Sequence, residues 1–331
     1  MPAKRKITTT TEAPPVLSLL SQESPFICTG IQEDNPRDFL AALGFLRLLA
    51  GFYPESEVAM AWLSDGHPSF SATEALPDDF LERLISGLKD LNARQPHPFV
   101  HNKVIKVALP VYWGAVRRSL ECDRHAGIPP ALFAAYGSQI HDAEKGEVSP
   151  SYFSFSNGQG GKELLRDISE LIEWELSAPQ LLADLKGEAT ATKDAKSFRW
   201  SPVEYRSAAY RAADPGSNVK GDVVLDHPSL NMLAFFGLTF YPVVDRAARE
   251  FTCGFSRRKR DRGQADYFTW PVWDTPLSVD TLSSLLLHPA LHSEACDPFF
   301  LRSLGCQRVL SSQRFRDDKG NLYFFPSSPM F

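Results

Sequence analysis

The sequence predicts an α+β fold in which mixed, mostly antiparallel sheets pack against helices. Three observations support this class. The chain has 331 residues, of which 43% are apolar and 11% aromatic, enough for a sizeable packed core. Helical and strand patterns follow one another without a steady strand–helix–strand order. Turn sequences at 65–66 and 318–321 join strand patterns directly, as hairpins do. A doubly wound sheet is therefore not expected.

Three parts are predicted along the chain. Residues 1–24 are basic, then Thr-rich, then Pro-rich, which is typical of a disordered tail that offers little to bury. Residues 25–186 are expected to form an N-terminal α+β domain. Residues 187–331 are expected to form a β-rich C-terminal α+β domain that carries a basic loop at 256–263.

The strongest local prediction is a helix that begins after Asn35. Asn35 suits the N-cap, Pro36 the first helical position, and Gly51 the position just past the end. Because this segment is apolar on nearly every side, the helix is expected at the centre of the core. The remaining elements are assigned by the same criteria: a short strand at 26–31, a hairpin at 56–73, an amphipathic helix at 77–94, a strand–turn–helix at 149–176, a helix at 227–238 and a hairpin at 313–327.

Charge and cysteine content restrict the partners and the compartment. The formal net charge is −5, so any surface for a polyanion has to come from local clustering. The five cysteines are scattered and form no CxxC pair, which favours reduced thiols in the cytoplasm. No apolar run approaches the roughly 20 residues of a membrane span. We therefore expect a cytoplasmic chain without a membrane partner.

A dense basic run is the main candidate for binding. Five cations fall within six positions, interrupted only by Asp261: Arg257, Arg258, Lys259, Arg260 and Arg262. Strand-like segments flank the run, so an exposed loop that joins a hairpin is expected there. A solvated charged loop is the ordinary interpretation. Contact with nucleic-acid phosphates is the favoured alternative, because like charges this dense repel one another unless a polyanion neutralises them.

A second cationic segment, residues 193–220, is interleaved with aromatic side chains. Phosphate contacts are predicted at Lys193, Lys196 and Arg199, with Phe198 and Trp200 beside them for base stacking.

A Gly-rich turn between a strand and a helix is the third candidate. Three glycines allow backbone N–H groups to approach an anion, and the helix that follows directs its N-terminal dipole there. The spacing is not that of a Walker A motif, and an ordinary strand-to-helix turn is the alternative. The candidate phosphate ligands are Asn157, Gly158, Gln159, Gly160, Gly161 and Lys162.

No catalytic, metal or cofactor site is predicted. The pairs His97/His101 and His288/His292 have the spacing that aligns two imidazoles on a helix, but a proline follows the first histidine of each pair. No nucleophile elbow and no catalytic cysteine context is present. The sequence thus predicts that the chain is not an enzyme.

The N-terminal pattern "DNPRDFLAALGFLRLLAGFYPESEVAMAW" resembles that of CRISPR-associated large-subunit-like proteins of type I-G, formerly I-U. The resemblance continues in order through "SFRWSPVEYRSAAYR", "LNMLAFFGLTFYPVV", "FTWPVWDTPLSVDTLSSLL" and "GCQRVLSSQRF", and is weaker between residues 75 and 195. It implies a non-catalytic subunit of an RNA-guided surveillance (Cascade) complex. It further implies guide RNA, target DNA and other subunits as partners, and a separate nuclease-helicase that cuts.

Two other function classes stay open at this point. The chain could be a nucleotide- or nucleic-acid-processing enzyme that uses the Gly-rich turn as a phosphate cradle. It could also be a scaffold that binds only proteins.

Overall fold

The computed structural model describes residues 21, 23–94, 109–121, 127–142, 147–155, 168–190, 192–193, 198–202, 225–246, 249–260, 263–293, 296–316 and 322–331. Within these residues the α-helices are α1 (Pro36–Phe52), α2 (Phe80–Arg94), α3 (Leu109–Glu121), α4 (Ile128–Tyr136), α5 (Ala178–Lys186), α6 (Pro228–Gly237), α7 (Val279–Leu286) and α8 (Pro298–Ser303). The predicted tail, apart from Ser21, Glu23 and Ser24, lies outside the described residues.

The strands pair antiparallel throughout the described sheets, and the α+β class is confirmed. The strands are β1 (Phe26–Ile27), β2 (Ala59–Trp62), β3 (Pro68–Ser71), β4 (Gly137–Asp142), β5 (Glu147–Pro150), β6 (Thr192–Lys193), β7 (Leu225–Asp226), β8 (Val243–Arg246), β9 (Arg249–Thr252), β10 (Phe255–Arg260), β11 (Gly263–Trp273), β12 (Leu277–Ser278), β13 (Cys306–Arg316), β14 (Leu322–Phe324) and β15 (Ser328–Pro329).

The first sheet has the order β1-β3-β2-β12. Since α1 connects β1 to β2 and β3 lies between these two strands, this is a split β-α-β arrangement. The turn predicted at 65–66 is confirmed, because Gly66 joins β2 and β3 with a φ of +85°. The outer edge of β1 is covered by the end of α5, where Lys186 Nζ donates to the Ile27 carbonyl oxygen at 2.9 Å.

Helix α1 begins as predicted and ends later than predicted. The Asn35 side chain accepts a hydrogen bond from the Arg37 backbone N–H at 3.0 Å, so the cap is confirmed. The helix continues past Gly51 to Phe52, and Tyr53 N donates to the Leu49 carbonyl oxygen at its end. The prediction that Gly51 follows the helix is thus wrong, because that glycine is buried in the last turn.

Two glycines let α1 and α6 approach each other closely. A Cβ at Gly44 would overlap the carbonyl oxygen of Leu233, and a Cβ at Gly237 would overlap that of Leu40. Because backbone rather than a flexible side chain occupies that space, both positions require glycine. The predicted central position of α1 is confirmed by this packing and by the burial of nearly all its side chains.

A buried charge cluster lies where α1 and α6 begin. Arg37 pairs with Asp38 at 2.6 Å and with Asp226 at 3.0 Å, and each of the three is at most 4% exposed. Asn231 Nδ2 donates to Asp226 Oδ2 at 2.8 Å. Burial raises the pKa of Asp38 from its ordinary value, against the opposing effect of Arg37. The cluster therefore fixes α1 against the strand that precedes α6.

The second large sheet has the order β10-β11-β13-β14, and β15 pairs with β13. One face packs onto α1 through an aromatic cluster, in which the Phe39 ring lies 5.5 Å from that of Trp270 and 6.3 Å from that of Phe268. Residues on both sides of position 186 contribute to one core, and β12 pairs with β2. The division into two domains at 186/187 stays a prediction.

Candidate nucleic-acid interface

The basic run lies mostly in a strand, not in a loop. Residues 255–260 form β10, which pairs with β11 up to the Arg260–Gly263 position. The predicted loop at 256–263 is therefore wrong for most of its length, and only residues 261 and 262 separate the two strands. Arg262 lies outside the described residues, as does the side chain of Arg260. Gly263, expected in a turn, does have a positive φ of +92°.

The strand divides the run between the two faces of the sheet, since alternate residues of a strand point to opposite sides. Arg257 and Lys259 are exposed on the face that also carries the buried Phe255. Arg258 is half-buried on the other face, where Nη2 donates to Thr269 Oγ1 at 2.7 Å. Its guanidinium also lies 4.7 Å from the centre of the Tyr267 ring. Arg258 is therefore held by the protein itself.

Two further arginines join Arg257 and Lys259 on their face of the sheet. Arg314 of β13 is directly opposite Asp266 of β11, which is itself opposite Arg257. Arg316 is exposed two positions further along β13, on the same face as Arg314. We call Arg257, Lys259, Arg314 and Arg316 the cationic patch.

The cationic patch has two rows across three strands. In the first row Asp266 lies between Arg257, at 3.0 Å, and Arg314, at 3.7 Å. In the second row Gln264 is opposite Lys259, and Arg316 lies on the strand beyond. With strands about 4.8 Å apart and alternate residues about 6.7 Å apart, the four cations fit within roughly 10 by 7 Å at their backbones. Among the described side chains of these two rows, four cations against Asp266 leave an excess of three positive charges.

Asp266 and aromatic rings position the guanidinium groups of the first row. The hydrogen bond from Arg257 Nε to Asp266 Oδ1 raises the pKa of Arg257. Arg314 lies 5.1 Å from the centre of the Tyr152 ring, and its burial lowers its pKa. Both remain charged at neutral pH, because an arginine side chain is not deprotonated in proteins. The first row is thus held in place, while Arg257, 52% exposed, stays accessible to a ligand.

Sequence reasoning missed Arg314 and Arg316. The signal was present as alternate arginines in "SQRFR", a pattern that places both on one face of a strand. The sequence does not show that β13 pairs with β11 on the side opposite β10, because this pairing joins residues about fifty positions apart.

Most of the other predicted binding residues lie outside the part of the chain that the structure describes. The Gly-rich turn, residues 157–162, and Lys196 lie outside the described residues. Lys193 lies in β6, but its side chain is not among those described. Arg199 is half-buried with a φ of +63°.

Base stacking by Phe198 and Trp200 is excluded. Their side chains are 4% and 1% exposed, and Trp200 Nε1 donates to the Phe153 carbonyl oxygen at 3.0 Å. Both rings belong to the core.

Both histidines of the His288/His292 pair contact backbone groups through a ring nitrogen. His288 Nδ1 accepts from the Ala290 N–H at 3.2 Å, and His292 Nε2 lies 3.0 Å from the Leu286 carbonyl oxygen. Within the described residues no group of three or more His, Cys, Asp or Glu side chains could hold a metal ion. His97 and His101 lie outside the described residues.

None of the described helices is both long and apolar enough to cross a bilayer.

No protein-family model matches the chain, and no curated protein matches it.

Proposed function

We propose that the chain is a non-catalytic subunit that binds nucleic acid through the cationic patch. The observation that carries the proposal is the convergence of four cations on one face of three adjacent strands. A surface of this kind neutralises backbone phosphates, which supplies most of the sequence-independent affinity for nucleic acid. The excess of positive charge is local, since the chain as a whole has a formal charge of −5.

The resemblance to type I-G large-subunit-like proteins provides the biological setting of the proposal. In that setting the chain acts in the cytoplasm as part of an RNA-guided surveillance complex. It contacts guide RNA or target DNA and helps to recognise the motif that flanks the target. Other subunits adjoin it, and a nuclease-helicase does the cutting. Sequence is then read mainly by base pairing, so a protein surface that binds phosphates without regard to sequence suits such a subunit.

A salt titration tests the proposal. The triple variant Arg257→Ala/Lys259→Ala/Arg316→Ala removes the three exposed cations and leaves the packed Arg314 in place. Its affinity for single-stranded RNA and for duplex DNA is measured by fluorescence anisotropy from low to moderate salt. Each phosphate contact that is lost should reduce the slope of log affinity against log salt by roughly 0.7 to 0.9 units. The loss of affinity should be similar for unrelated sequences.

The matched control is Arg117→Ala/Arg118→Ala, which removes two exposed cations from α3. This variant should keep the wild-type slope. If the triple variant also keeps the wild-type slope, the cationic patch is a solvated surface and the proposal fails. If affinity falls for some sequences only, a patch arginine reads a base edge instead.

A further inference from the structure

A groove lies along the first sheet, over its face of small side chains, and its volume is about 970 Å³. Four small residues of β2 and β3 stand in directly opposed pairs on that face: Ala59 with Ser71, and Ala61 with Ser69. The intervening side chains, such as Met60 and Phe70, point into the core. Because these groove residues have short side chains, a bound chain could approach the sheet backbone closely.

The charge of the groove identifies the kind of occupant. Glu57, Asp274 and Asp280 line it, with Arg47 as the cation among the lining residues. Within the described part of the chain, none of the three carboxylates forms an ion pair; Asp274 accepts a hydrogen bond from Gln307 Nε2 at 2.8 Å. A surface with this acidic excess repels phosphates and attracts a cationic chain. The groove is thus the electrostatic opposite of the cationic patch.

The chain itself contains a complementary segment. Lys4, Arg5 and Lys6 are three consecutive cations, equal in number to the three groove carboxylates. Residues 1–20 lie outside the described residues. Their sequence and their point of attachment favour this segment as the occupant of the groove. Pro25 lines the groove, so the segment that carries these cations is connected to the rest of the chain at the groove itself. The 18 residues between Lys6 and Pro25 span up to about 60 Å when extended, so chain length does not prevent contact.

We propose that the groove binds the basic stretch Lys4–Lys6 of the chain's own N-terminal segment. The contact is electrostatic and requires no regular structure in the segment, which agrees with the tail that its composition predicts. Attachment to the same chain raises the local concentration of the segment at the groove, so weak ion pairs are sufficient. The proposal is independent of nucleic-acid binding by the cationic patch.

Carboxyl footprinting of the full chain tests the proposal. Accessible carboxylates are labelled with carbodiimide and glycine ethyl ester, and the labelled positions are read by mass spectrometry. Compared with wild type, the variant Lys4→Glu/Arg5→Glu/Lys6→Glu should show about threefold or greater labelling of Glu57, Asp274 and Asp280, the size expected for two or three exposed ion pairs. Three exposed carboxylates outside the groove serve as internal controls and should be unchanged: Asp78, Glu82 and Glu188.

Zero-length cross-linking by carbodiimide alone identifies the occupant. A covalent link between Lys4 or Lys6 and a groove carboxylate, at a yield independent of protein concentration, supports the proposal. Mixing isotopically light and heavy protein shows whether each link joins one molecule or two. Links mainly between two molecules, with a yield that rises with concentration, would mean that a second copy supplies the segment, and would overturn the intrachain assignment. Unchanged footprinting together with no such link would show that the groove does not bind this stretch.

Discussion

Arg37 and Arg257 both pair with aspartates, yet their surroundings differ. Arg37 is 4% exposed, and it bonds to Asp38 and Asp226 inside a network that joins α1 to β7. Arg257 is 52% exposed and shares Asp266 with a second arginine. In the buried cluster the carboxylates outnumber the arginine, whereas in the cationic patch the cations outnumber the acid. The first arrangement joins two elements of the fold, and the second leaves an excess of positive charge on the exposed surface.

Removal of the buried cation should have the largest effect on stability. Arg37→Ala leaves Asp38 and Asp226 buried without their cation, so the free energy of unfolding should fall by about 3 to 5 kcal/mol. Urea denaturation followed by circular dichroism measures this loss. Arg257→Ala in the cationic patch is the comparison variant and should cost less than about 1 kcal/mol, since the Arg257 side chain is 52% exposed and Asp266 keeps Arg314 as a partner. Equal losses for the two variants would contradict the contrast between the two regions.

A substitution at the close contact between α1 and α6 should lower the free energy of unfolding almost as much. Gly44→Ala places a methyl group against the Leu233 carbonyl group, and the helices must separate. The expected loss is about 1 to 3 kcal/mol or somewhat more, as for other overpacked cores. Thermal unfolding measures it. Gly114→Ala on α3 is the matched control, because its Cβ meets only the end of the Arg118 side chain at 3.5 Å. That variant should be neutral or slightly stabilising, since alanine favours helix over glycine.

The neighbouring arginines Arg257 and Arg258 of β10 should differ in their contribution to the free energy of unfolding. Arg258→Ala removes hydrogen bonds to Ser256 and Thr269 and the contact with the Tyr267 ring, which should cost about 1 to 2 kcal/mol. Arg257→Ala loses one exposed ion pair and should cost about 0.5 kcal/mol. Chemical denaturation of the two variants compares them directly. The opposite order would mean that the assignment of the two faces is wrong.

Those two variants should also differ in nucleic-acid binding, in the reverse sense. Arg257→Ala should lower affinity for single-stranded RNA and reduce the salt slope by up to about one unit. Arg258→Ala should leave the slope unchanged at temperatures where the variant is folded. Fluorescence anisotropy at several salt concentrations measures both. A larger slope change for Arg258→Ala would place the ligand on the other face of the sheet.

Features of the fold that depend on adjacent residues could be predicted from the sequence, whereas features that depend on pairing between distant strands could not. The Asn35 cap and the turn at Gly66 depend on a few adjacent residues, so sequence was sufficient for both. The strand character of 257–260 was hidden, because both faces of the strand carry cations and no apolar alternation remains. The place of Arg314 in the patch depends on a strand about fifty residues further along the chain. Aromatic residues beside cations also predicted the wrong role for Trp200, since the spacing does not reveal which side is buried.

Photo-cross-linking tests the central claim most directly. Single-stranded RNA that carries 4-thiouridine is bound to the full chain and irradiated, and the modified peptides are identified by mass spectrometry. Binding through the cationic patch predicts adducts in peptides from β10, residues 255–260, and from β13, residues 306–316. These adducts should decrease in the Arg257→Ala/Lys259→Ala/Arg316→Ala variant. Adducts confined to other parts of the chain, and unchanged in that variant, would contradict the proposal that the cationic patch is the nucleic-acid interface.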